Sequence, residues 1–451
     1  MNWKKTFVAM PLSFSLLMSG AALTVSAHNG EKHETPAVST PASDLRAALD
    51  ALLSEHAYLA VITMQKGIDG AADFEESAAA LQANTDDLSA AVASVYGEEA
   101  GQQFKEIWSS HIGYFVDYVT ASAAGDEAAK EAALANLAEY KAEQAAFLET
   151  ATEGRLKASE LEEGLQMHID QLIWAFENYT MEDFDKTYEN LRHSLHHMFG
   201  FGKGLAWAIT DQFPEKFGNT SVDTLAADLR ADLNYLLSEH AALAISAMQK
   251  GIDGAPDFEA AAAALTANTD DLSAAIGSVY GEEAAQQFKD IWSSHIGYFV
   301  DYVTATAAGD EAAKEAAIAA LEEYKAEQAA FLEAATDGRL KAEDVEAALD
   351  MHVEELLTAF NSYTEKDYAA AYSAIREAYA HMFGVGTVLS SAIVDQFPEK
   401  FEAEMPTEMP KTGMGGMADE GDYAAEIAVS LMALGAVSLL AVRRREAKNE
   451  G

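Results

Sequence analysis

Apolar residues along the chain recur at spacings of three and four. Leu45, Leu49, Leu52, His56, Leu59 and Thr63 form one such stripe. Phe104, Trp108, His111, Phe115 and Tyr118 form another, and Leu161, Leu165, His168, Leu172 and Phe176 a third. That spacing places one apolar face on an α-helix. Breaks at Gly67 and Gly70, Gly97, Gly125 and Gly154 divide this stretch into six helices, over about 43–66, 72–96, 98–123, 126–151, 157–179 and 181–212. No segment alternates with period two, so no sheet is expected. Short connections make neighbouring helices antiparallel.

The pattern then occurs a second time. The differences 240 − 56, 295 − 111, 352 − 168 and 381 − 197 all equal 184, with no gap between these landmarks. The fold class is therefore all-α: two tandem repeats of an antiparallel helical bundle, about six helices each. The first spans 43–217 and the second 227–401, with linkers at 28–42, 218–226 and from 402 onward. A period this long marks a duplicated domain rather than a solenoid. Each copy has a full set of apolar stripes, so each is expected to fold alone.

Composition removes several function classes. Lys plus Arg is 29 against 74 Asp plus Glu, a net charge of −45, so a phosphate backbone would be repelled and no nucleic-acid partner is expected. There is no cysteine, hence no disulfide, thiolate site or cysteine nucleophile. His-Glu-x-x-His, a Gly-x-Ser-x-Gly elbow and a phosphate-binding glycine loop are all missing, so no motif assigns an enzymatic activity.

The histidines carry the candidate chemistry. His56, His111 and His168 each replace an apolar residue on an inward stripe, and His197 lies beside the seam of the sixth helix. His240, His295, His352 and His381 repeat them. All lie near mid-helix, so four imidazoles per repeat can meet in one layer. Beyond about residue 155 the copies diverge, yet His168 and His197 keep counterparts while His193 and His196 become Glu377 and Ala380. The layer is read as a copper or zinc site, imidazole suiting both metals. Met64, Met167, Met198, Met248, Met351 and Met382 are candidate soft ligands or neighbours, as are Glu55 and Glu239. Neutral imidazole is required, so affinity is expected to fall as pH drops toward about 6.5. Two alternatives stand. One is a structural or adhesive surface protein whose histidines only bond core partners such as Asn84, Tyr140 or Glu55. The other is a haem held between facing imidazoles.

The ends read as addresses. Lys4 and Lys5, an apolar stretch and Val25-Ser26-Ala27 form a signal peptide over 1–27, leaving His28 as the mature start. Met409-Pro410-Lys411-Thr412-Gly413 precedes a polar spacer, an apolar run and Arg443-Arg444-Arg445. This order resembles the sorting signal of Gram-positive wall proteins, Leu-Pro-x-Thr-Gly, with Met409 in place of Leu. The resemblance implies that a sortase cuts between Thr412 and Gly413 and joins Thr412 to peptidoglycan, after transient membrane retention by the apolar segment. It implies a secreted protein in a Gram-positive cell wall. The repeats also resemble helical regions of Bacillus-type surface proteins labelled copper amine oxidase-like. The shared elements are Ser-Glu-His at 54–56, Trp-Ser-Ser-His at 108–111, Met-His at 167–168, His-Met-Phe at 197–199 and Gln-Phe-Pro-Glu-Lys-Phe at 212–217. A quinone-forming Tyr needs an Asn-Tyr-Asp/Glu context, whereas Tyr179 is followed by Thr180 and Tyr363 is preceded by Ser362, so that activity is not expected.

Mass spectrometry of muramidase-released protein should find a chain that starts at His28 and ends at Thr412. Residues beyond Gly413 on the wall-bound form would exclude sortase cleavage.

Overall fold

The computed structural model describes residues 36–402. The signal peptide over 1–27 and the motif Met409 to Gly413 lie outside the described residues. Among those residues the chain forms twelve long helices and no strand. The first repeat contains α1 (Pro41–Asp69), α2 (Phe74–Tyr96), α3 (Glu98–Ala124), α4 (Glu127–Ala151), α5 (Ala158–Thr180) and α6 (Phe184–Gln212). The second contains α7 (Leu225–Asp253), α8 (Phe258–Tyr280), α9 (Glu282–Ala308), α10 (Glu311–Ala335), α11 (Ala342–Thr364) and α12 (Tyr368–Gln396). The all-α, two-by-six reading of the sequence holds.

Local chemistry sets the helix ends. Thr40 caps α1 in a reciprocal box with Ser43, and Thr224 caps α7. Asp126 and Asp183 cap α4 and α6, and Asp310 and Asp367 do the same in the second repeat. Gly70 stops α1 in the left-handed region, at φ 60°. Gly67 does not break the helix. It lies within α1, where an added Cβ would meet Phe74 at 3.1 Å and Val119 at 3.3 Å.

The stripe on α1 suggests a helix with one buried face. Instead α1 is buried on nearly every side from Ala42 to Lys66, and α7 from Ala226 to Gln249. By length and composition α1 could span a membrane, but here it is a core helix. Helix α1 packs along α6, and α7 along α12; these four also touch across the repeat boundary. Helices α2–α5 and α8–α11 flank them. One continuous apolar cluster runs through both repeats. The linker is part of it: Val222 is buried, and its carbonyl accepts from Arg46.

The junction is a pseudo-two-fold axis written within one chain, because its main polar contacts have mates 184 residues away. Arg376 forks onto Glu55 at 2.9 and 3.0 Å, and Arg192 onto Glu239 at 3.0 Å through both nitrogens. Tyr372 donates to Asp73 and Tyr188 to Asp257. Arg46 pairs with Asp228 and Arg230 with Asp44. Phe199 stacks on its own counterpart Phe383 at 5.9 Å.

Asp50 breaks the symmetry. It is fully buried beside Gly202, neither oxygen has a hydrogen bond, and burial pushes its pKa up to about 8. The equivalent residue is Asn234, whose amide can donate to the carbonyls of Arg230 and Phe383.

Two substitutions test this junction. Arg376→Ala strands the Glu55 carboxylate in the core and should destabilise the protein by about 3–5 kcal/mol in denaturant melts. Asp50→Asn should stabilise it by roughly 1–3 kcal/mol at pH 7. A raised acid loses its stabilising effect as pH rises toward the folded pKa, so the gain should be larger at pH 8 than at pH 5. Equal gains at both would remove Asp50 as the titrating group.

Candidate metal centre

Helices α1, α3 and α5 bring His56, His111 and His168 together, and α7, α9 and α11 do the same for His240, His295 and His352. Within each group the ring nitrogens that could act as ligands all lie within 4.8 Å of one another. All six residues are at most 2% exposed. His56 Nε2 is 3.2 Å from His111 Nε2, and His240 Nε2 is 3.3 Å from His295 Nε2. Two nitrogens on one tetrahedral metal at bonds of about 2.0–2.1 Å stand roughly 3.3 Å apart, so these pairs already have that spacing.

Aromatic rings fix the imidazoles. His111 stacks on Tyr140 at 4.5 Å and meets Trp108 edge-on at 4.8 Å. Trp108 also lies 4.9 Å from His56. Tyr324 and Trp292 repeat the arrangement around His295. The Nδ1–H of His295 donates to the carbonyl of Trp292, whereas His111 Nδ1 faces Trp108 outside hydrogen-bond geometry. A proton held on Nδ1 leaves the Nε2 lone pair for a metal.

Protein partners for the third ring of each group are missing. His168 and His352 have no hydrogen bond on either ring nitrogen. Asn84, a candidate partner in the structural alternative, donates instead to Leu52 and Glu55. Its oxygen faces His56 outside hydrogen-bond geometry and offsets a little of the burial effect there. Tyr140 stacks on His111, but its hydroxyl bonds nothing. Buried imidazoles serving only structure would be expected to be satisfied.

Several residues expected in this layer lie elsewhere. His197 Nε2 donates to the carbonyl of Gly164 at 2.9 Å, while His381 stands beside the equivalent Ala348 with its Nε2 outside hydrogen-bond geometry. Both are half-buried and stand outside the three-residue groups. The seam position of α6 turns its ring toward the α5 backbone rather than the core. Glu55 and Glu239 neighbour ligands in sequence but are engaged by Arg376 and Arg192. Successive helical residues point about 100° apart, so each carboxylate faces the repeat junction. Met351 is 37% exposed and Met167 half-buried, each turned away from the layer by the same rotation. Met64, Met198, Met248 and Met382 are buried core residues. A haem would need a macrocycle between the imidazoles, where Trp108 and Tyr140 pack. Tyr179 lies eleven residues past His168 on α5, roughly 16 Å along the axis, and donates to Asp69. What the sequence did not reveal was the pair of arginines, Arg192 and Arg376. Their only signal was that both copies place an arginine at the same point of a mostly apolar helix.

No family model, no curated protein and no solved structure matches the chain. Fold and site therefore stand on their own: an all-helical, duplicated protein with two buried three-histidine groups, each able to hold a metal ion.

Burial pushes the His111 and His295 pKa values down to about 3 and drives those of His56, His168, His240 and His352 well below normal, with neighbouring imidazoles adding to the effect at several of them. The folded site thus stays neutral far below pH 6.5, which revises the expected pH dependence. Acid should unfold the metal-free protein before it titrates the site. The unfolded chain protonates these rings below about 6.5 while the folded one does not, so stability is intact above that pH and lost as pH falls. Each ring contributes about 1.4 kcal/mol per pH unit, roughly 8 for six together. Metal-free protein should show a steep loss of helicity below pH 6, with uptake of about six protons on unfolding. A shallow transition taking up one or two protons would mean that the rings are already solvated.

Proposed function

We propose that the protein is a secreted, wall-anchored metal-binding protein that holds one copper or zinc ion per repeat. The observation that carries this reading is the convergence in each repeat of three buried, neutral imidazoles, of which the third, His168 or His352, has no hydrogen bond on either nitrogen. In the metal-free protein one Nε2–H can donate to the other ring's lone pair across the 3.2 Å contact, and a metal can take that proton's place. His168 then remains without a partner on either nitrogen, which a metal would supply.

Imidazole accepts both copper and zinc. The group contains no carboxylate, and Glu55 is neutralised by Arg376. An uncompensated charge is costly in a dry interior, and the cost rises with the square of the charge. Monovalent copper is therefore the ion best matched to three neutral ligands. Zinc fits when it brings an anion such as hydroxide as fourth ligand, the open position of a three-histidine site. The acidic exterior suits this role, since a charge of −45 concentrates cations around the molecule. The signal peptide over 1–27 and the Met409 to Gly413 motif support export and sortase attachment to peptidoglycan, with the repeats close to the anchoring point.

Elemental analysis of purified protein given copper under reducing conditions, or zinc, should find two equivalents per chain. His111→Ala should leave one, with the second repeat intact. Metal should raise the melting temperature of the wild type in both repeats but of the variant only in the second. Unchanged stoichiometry in the variant, together with lowered stability, would leave a structural histidine cluster instead.

A further inference from the structure

The three-histidine groups are closed to solvent, with His56, His111 and His168 at 0–1% exposure. A metal ion needs a path to them that offers ligands, because shedding its water among leucines is costly. In each repeat the seam between the last two helices carries such ligands. In the first it lies between α5 and α6, where His193 and His197 are half-buried on α6 and Gln171 stands one turn beyond His168 on α5. In the second it lies between α11 and α12, where Glu377 is exposed, His381 half-buried, and Glu355 one turn beyond His352. Positions 193 and 377 differ in identity, yet both carry a metal-ligating type.

The chemistry is graded from outside to inside. His197 bonds the carbonyl of Gly164, one helical turn before His168 on α5, and His381 stands beside Ala348, one turn before His352 on α11. His168 and His352 have both ring nitrogens free of hydrogen bonds. In the second repeat His381 Nε2, one Glu355 oxygen and the His352 nitrogens are all without hydrogen-bond partners. In the first, His197 is held by the single bond to Gly164, which ring rotation can break. His197 before His168, and His381 and Glu355 beside His352, thus offer lightly held or unpartnered ligand atoms next to the buried groups, which stepwise ligand exchange requires.

We propose that the α5–α6 and α11–α12 seams are the metal-uptake routes of the two sites, with His197 and His381 as transfer ligands that pass a copper or zinc ion to His168 and His352. This rests on the two-site metal reading above and adds which residues control loading. A transfer ligand affects the rate of loading and not the final occupancy, which separates it from a permanent fourth ligand.

Trp108 and Trp292 lie against the imidazoles, so their fluorescence reports filling of each site. The test mixes metal-free full-length protein with zinc alone in a stopped-flow instrument. Wild type is compared with His197→Ala, His381→Ala and the double variant. His197→Gln serves as a second variant, because its amide can still donate to Gly164 and preserve the fold. The single variants should slow filling of their own repeat by roughly 10-fold or more, while two equivalents still bind at equilibrium. Added imidazole should restore the rate in His197→Ala and His381→Ala. Unchanged rates in all variants would overturn the uptake routes while leaving the metal sites standing. A drop to one equivalent in His197→Ala or His197→Gln would make His197 a permanent ligand and also overturn the transfer role. Wild type that binds no zinc and, in a parallel titration, no reduced copper would overturn both this inference and the metal reading beneath it.

Discussion

A helix enclosed on all sides loses free energy for each polar group it leaves without a partner, and α1 and α7 are such helices. Each brings a Glu-His pair into the interior. The glutamate turns toward the other repeat, where Arg376 or Arg192 neutralises it through a two-pronged ion pair. The histidine, about 100° round the helix, turns into its own repeat, where two more imidazoles meet it. The repeat junction and the candidate metal site are thus neighbouring faces of one turn of helix. Removing the arginine would strand a carboxylate beside the first ligand.

That arrangement explains how a strongly acidic protein keeps an uncharged site. The net charge is −45, while the glutamates beside His56 and His240 are paired with Arg376 and Arg192. The interior holds neutral rings that burial keeps neutral, and aromatic neighbours hold them at metal-bonding separations. Buried pairs of this kind contribute little net stability. Here they fix register: Arg376 forks onto Glu55 in only one alignment of α12 against α1, and that alignment sets the height of His56.

The two copies share the junction but not every detail of it. Asp50 opposes Gly202 where Asn234 opposes Gly386, and the carboxyl is the poorer fit because it cannot donate twice. Tyr58 and Tyr379 stack across the junction at 6.2 Å where the symmetric positions hold Ala242 and Leu195. The duplicated chain has thus diverged along its own axis, as two subunits of identical sequence could not.

The sequence by itself determined the twelve helices, because apolar spacing, caps and glycine stops act within a few residues and are read locally. It determined the duplication and singled out His56, His111, His168 and their counterparts, since a histidine on an apolar stripe has nowhere to point but inward. It overreached with His197 and His381, which lie at the edge of a stripe, where a rotation of a few tens of degrees separates core from seam. Nor could it tell that α1 is buried all round, because alanine and serine on its second face read as surface until another helix covers them. Only the tertiary structure decided that Glu55 and Glu239 belong to the junction, that Arg192 and Arg376 complete them, and that three imidazoles rather than four meet in each repeat. These depend on contacts between residues as much as 321 positions apart, whose geometry is set by how whole helices cross.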